Sequence, residues 1–130
     1  MSEGKSATPL GKVRGLGSAH HGGEHWLKER ATSAALLLLG LWLVASLLLL
    51  PDLSRASVVE WLRAPSGAVP MILFVIVVFV HSIDGLKVLI DDYVHDEGNR
   101  LIAGGLVTFA GIGAGALALF SLARIAFGAA

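Results

Sequence analysis

Residues 31–50 read ATSAALLLLGLWLVASLLLL, twenty consecutive positions without a charge. At 1.5 Å of rise per residue, a helix of that length crosses the roughly 30 Å hydrocarbon layer of a bilayer. Two further apolar runs follow, at 69–90 and 101–127, with polar sequence between them. The expectation is an all-α integral membrane protein with three transmembrane helices, preceded by a polar arm over residues 1–30. Composition agrees: 55% of the 130 residues are hydrophobic and only 15% charged, more apolar surface than a soluble domain this small can hide.

Ten basic and ten acidic residues cancel, so no broad basic field points to nucleic acid. Cysteine is absent. Disulfides, thiolate-held iron–sulfur clusters and cysteine-type zinc sites are therefore excluded. Any metal must be reached through His, Asp or Glu. The opening stretch MSEGKSATPLGKVRG has no apolar core behind its basic residues, so it does not read as a secretory signal. Of the Lys and Arg residues, seven flank one side of the spans and three the other when the N-terminus is placed inside. The positive-inside rule then predicts a cytoplasmic N-terminus.

Local signals refine the layout. Trp26 suits a headgroup-level anchor ahead of the first span. Ser57 followed by Glu60 predicts a capping box and a short surface helix through Arg63, stopped by Pro65, with Val58, Val59, Trp61 and Leu62 in the interface. Pro70 suits the first turn of the second span. Asp91, Asp92, Asp96 and Glu97 predict an acidic turn closed by Gly98 and Asn99. Gly111 and Gly115, four apart, predict a close helix–helix approach.

The stretch 81–95, HSIDGLKVLIDDYVH, carries the chemistry. Ionisable groups inside a span cost at least ~2.5 kcal/mol on insertion scales, so each needs a reason. His81 reads either as a neutral imidazole packed across to another helix or as an axial ligand to a metal cofactor. His81, Gly85, Val88 and Asp92 share one helical stripe, and Gly85 leaves room one turn beyond the histidine. Tyr93 lies twelve residues on, about 18 Å along the axis. Asp84 and Lys87 are expected to pair within the helix, with Lys87 snorkelling outward. His81 is the one histidine at membrane depth, so a second imidazole ligand would have to come from a partner or another copy.

These residues resemble the succinate dehydrogenase hydrophobic membrane anchor subunit, the smaller anchor of complex II, in its proteobacterial form. The likeness rests on His81, Gly85, Asp92 and Tyr93, on Val94 and His95 followed by an acid, on the arm residues 15–18, His25 and Trp26, and on Arg30, Ala31 and Thr32 entering the first span. Asp84 departs from the apolar residue expected there. The resemblance implies a subunit that anchors a flavoprotein and an iron–sulfur subunit to the cell inner membrane, as part of an electron-transport enzyme of the tricarboxylic acid cycle. It implies one haem b in a helical bundle completed by the larger cytochrome b anchor subunit. His81 would be this subunit's ligand to the haem iron, Tyr93 a hydrogen-bond donor to ubiquinone, and Asp92 a supporting residue of the quinone site. Asp91, Asp92 and His95 are candidate proton suppliers, and Arg30 a candidate neighbour of a haem propionate. The chain alone would not be an enzyme: it has no dinucleotide fingerprint and too little polar sequence to hold a flavin. The alternative is a small haem-free membrane scaffold or transporter accessory protein with His81 as a packing residue.

Overall fold

The computed structural model describes residues 22–128; His20, His21 and the 15–18 stretch lie outside them. Four helices follow in order: α1 (Gly22–Leu48), α2 (Arg55–Arg63), α3 (Pro65–Tyr93) and α4 (Glu97–Ala126). Three of them, α1, α3 and α4, are long and apolar enough to cross a membrane. The protein is a multi-pass membrane protein.

The long helices begin earlier than the hydropathy suggests, and for α3 and α4 local chemistry at the helix end sets the start. Ala64 is extended (φ −73°, ψ 137°), as the ring of a following proline demands, and Pro65 opens α3 at the position where its missing N–H costs nothing. Pro70 is thus inside α3 and not in its first turn. Asp96 caps α4 by accepting from the Asn99 amide at 2.8 Å. The expected acidic turn is therefore split: Asp91 and Asp92 finish α3, while Glu97, Gly98 and Asn99 are the first turn of α4. A carboxylate pair there, Asp96 and Glu97, also complements the helix dipole.

The α2 cap differs from the expectation as well. Ser54, not Ser57, is the N-cap, accepting from the Ser57 amide at 3.3 Å. Asp52 accepts in turn from the Ser54 amide (2.8 Å) and the Ser57 hydroxyl (2.7 Å). The Ser54 side chain, then Ser57, hold the Asp52 carboxyl down at about 2. Helix α2 is folded back on the spans: Leu62 is buried, and Trp61 stacks on Trp42 of α1 with centroids 5.6 Å apart and planes at 26°. Gly67 lies under the same tryptophan, where a Cβ would collide with the Trp61 carbonyl.

The spans stand in an open row. Helix α3 is central, packed on α1 along one edge and on α4 along the other, and among the described residues α1 does not reach α4. The α3–α4 contact is close because glycines receive branched or aromatic side chains: Gly111 faces Ile83 and Gly115 faces Phe79. Ile83 and Phe79 are one turn apart on α3, as are the two glycines on α4, so the contact has matched antiparallel register. Leu62 is the single buried hydrophobic residue among those described. The fold has almost no core of its own.

Candidate functional site

Among the ties between α1 and α3, two involve the stretch singled out by sequence. The Thr32 hydroxyl oxygen lies 3.0 Å from His81 Nδ1. One turn away on both helices, Lys28 Nζ forms an ion pair with the Asp84 carboxylate. Asp84 is thus paired across helices, and not with Lys87 of its own helix as expected. The reason is register: Lys28 sits just before the apolar run of α1, so its ammonium meets Asp84 at the polar edge of that helix. The same register sets His81 level with the first apolar turn of α1, nearer the N-terminal side than its position in α3 implies.

The Thr32 hydroxyl is itself fixed by its own helix, lying 3.0 Å from the Lys28 carbonyl oxygen and 3.1 Å from that of Glu29. Sequence reasoning missed both Thr32 and Lys28 as partners. The available signal was a pair of adjacent hydroxyl residues, Thr32 and Ser33, at the very start of an apolar span.

Gly85, one turn past His81, has nothing from outside its own stretch of helix within 4 Å of where a Cβ would stand. Among the described residues it is not a packing glycine; it leaves an open notch. With α3 directed at α4 through Phe79 and Ile83 and at α1 through His81 and Asp84, its two broad sides are set. Ser82, Gly85, Leu86, Leu89 and Tyr93 project from one broad side, and apart from half-buried Gly85 all of them are exposed. Lys87 and Asp91 belong to the other. There a groove of about 920 Å³ runs between α3 and α4, with Lys87, Asp91, Glu97 and Arg100 at its polar end and Phe109 and Ile112 deeper. Neither His81 nor Tyr93 lines it.

Tyr93 ends α3 and is 78% exposed, with Asp92 exposed beside it. The next residue, Val94, closes the helix with its amide on the Ile90 carbonyl at 2.8 Å. Asp91 approaches Arg100 at 3.9 Å. Arg30 lies over Trp26, 5.5 Å from the ring centroid, a cation–π contact at the level of the polar helix start. His95 is exposed in the short turn before α4.

The residues match the succinate dehydrogenase/fumarate reductase transmembrane subunit family over positions 4–123. The chain belongs to that family. It is 34% identical over 122 residues to the succinate dehydrogenase hydrophobic membrane anchor subunit of Paracoccus denitrificans, covering 94% of each chain. The proteins of the same name from Rickettsia bellii and Rickettsia conorii are 34% and 32% identical. Those matches cover 64% and 70% of this chain, and 66% and 75% of theirs. No solved structure matches.

Among the described residues no three His, Asp or Glu side chains gather into a metal site. A haem asks less of a chain, one axial nitrogen and space for a flat ring. His81, anchored through Nδ1, and the notch at Gly85 meet both requirements.

Proposed function

We propose that this chain is a membrane anchor subunit of succinate:quinone oxidoreductase, in the cell inner membrane with its N-terminus cytoplasmic. In this reading it attaches a flavoprotein and an iron–sulfur subunit, shares one haem b with a larger anchor subunit, and contributes to the ubiquinone-reduction site. The observation that carries the haem part is His81: a histidine held by one ring nitrogen, one turn from an open glycine, on the helix whose broad side is left bare. The haem, when bound, supplies a one-electron carrier at that depth.

The chain's own residues have distinct tasks. His81 offers a ring nitrogen to iron, while the second imidazole comes from the partner anchor subunit. Tyr93 donates its phenolic hydrogen to a quinone carbonyl oxygen and stabilises the negative charge that develops there. Quinone reduction consumes two electrons and two protons, so carboxylates beside water, Asp92 and Asp91, with His95 close by, suit proton delivery. Exposure of Tyr93 and Asp92 in the isolated chain supports a site completed by other subunits.

One observation favours a second reading. The Thr32–His81 bond by itself also suits a packing histidine in a haem-free anchor. A reduced-minus-oxidised spectrum of the complex purified in mild detergent separates the two. Loss of the haem bands in His81→Ala is expected; undiminished bands would remove His81 as a ligand.

A further inference from the structure

We infer that Thr32 is a positioning residue that fixes both the orientation and the tautomer of His81, placing the ring's hydrogen on Nδ1 and its free lone pair on Nε2. The consequence for iron rests on the haem reading above; the tautomer itself does not.

The argument is a count of protons. A threonine hydroxyl has one hydrogen and two lone pairs, whereas carbonyl oxygens only accept. Thr32 Oγ1 has two such acceptors on its own helix, the Lys28 and Glu29 carbonyls at 3.0 and 3.1 Å. Its single hydrogen is shared between them, the usual bond of a threonine inside a helix. Toward His81 Nδ1, 3.0 Å away, the oxygen is then left with lone pairs alone. Two lone pairs facing each other at that distance repel, so Nδ1 carries the hydrogen and donates it. A neutral imidazole with Nδ1–H has its lone pair on Nε2, the atom a metal requires.

The acceptor is rigid. Threonine is branched at Cβ, and the bonds to its own helix hold it in one rotamer. The Lys28–Asp84 pair, one turn along both helices, is a second tie between α1 and α3 in the same register. Lys28 serves twice, with its carbonyl on the Thr32 hydroxyl and its ammonium on Asp84. A hydrogen bond donated from Nδ1 strengthens the opposite nitrogen as a ligand and favours the more highly charged state of the metal.

The test uses the intact complex. Thr32→Val keeps the branched shape and removes the hydroxyl; Thr32→Ser keeps the hydroxyl. Haem content, the difference spectrum and a redox titration are recorded for both and for His81→Ala. Thr32→Val is expected to shift the haem reduction equilibrium toward the reduced form by roughly tenfold, the lower end of what a lost outer partner costs. That shift is about 59 mV for one electron. Thr32→Ser is expected to titrate with wild type. Coincident titrations of Thr32→Val and wild type, or equal shifts in Val and Ser, would overturn the inference. Haem retained in His81→Ala defeats the ligand assignment instead. In that event, and also if Thr32→Val does not assemble, the nitrogen spectrum of ¹⁵N-histidine-labelled wild-type complex decides by solid-state NMR. Hydrogen on Nδ1 of His81 upholds the tautomer; hydrogen on Nε2 alone defeats it.

Discussion

Asp84 pairs with Lys28 on the neighbouring helix and not with Lys87, three residues away on its own. The Asp84 side chain is 18% exposed and that of Lys28 52%, so the pair straddles the boundary between packed helix and polar surroundings. A carboxylate that would be costly alone in a span is tolerable there because the cation comes from the polar start of α1.

Asp84→Asn and Lys28→Gln should each lower the thermal stability of the purified complex, and the double variant should lose less than their sum. The coupling expected from a double-mutant cycle is about 0.5–1 kcal/mol, the upper range for a pair with a half-exposed partner. Strict additivity would show that the two side chains do not interact.

At the α3–α4 contact, Gly111→Ala places a methyl against the Ile83 side chain. Overpacking of this kind costs about 1–3 kcal/mol. Adding Ile83→Ala to that variant should recover part of the loss, read by denaturation in detergent. A Gly111→Ala protein as stable as wild type would mean that the helices do not meet there.

Gly67 is less forgiving, because the atom in the way is a backbone carbonyl, Trp61 O. Gly67→Ala is expected to disturb the α2–α3 corner and the Trp42–Trp61 stack, visible as a change in tryptophan fluorescence. Gly104→Ala, where nothing stands within 4 Å, serves as the control and should be silent.

Tyr93→Phe should leave assembly intact, since the ring is exposed among the described residues. Succinate-dependent quinone reduction should fall by about 10²-fold, the usual result of deleting one donor to a developing oxyanion. Succinate oxidation with a water-soluble acceptor should be unchanged. Full quinone reductase activity in the variant would remove Tyr93 from the site.

The Asp52 cap has a definite pH window. Its carboxyl titrates at about 2 in the folded chain against an ordinary value of 3.8. A depressed value means that the stabilisation is complete above about 3.8, and is lost as pH falls toward 2. Amide exchange at Ser57, corrected for intrinsic rate, should accelerate below pH 4 and not between 5 and 8. In Asp52→Asn the pH step should vanish.

The spans were legible because hydropathy over twenty residues is a long, redundant signal. Where the helices start was not, since Asp96 and Ser54 each act through one side-chain bond and Pro65 through its fixed backbone angle, local effects that a window average dilutes. The histidine was conspicuous at its depth, and the small-residue spacing at Gly111 and Gly115 did mark a close approach. The partners of His81 and Asp84 stayed hidden for a physical reason: periodicity tells which residues share a face, not which face of another helix they meet. Lys87 looked the better partner for Asp84 only because nothing in the sequence fixes how far α1 is slid along α3. Gly85 shows the converse: its spacing raised the possibility of helix packing, yet among the described residues no other helix comes near it.

Three spans in a row, the outer two never meeting, make a wall and not a container. What is surface on the separate polypeptide becomes interior only when a neighbour leans against it. Such a subunit should therefore be short-lived when made alone, and its abundance in the cell should follow that of the protein beside it.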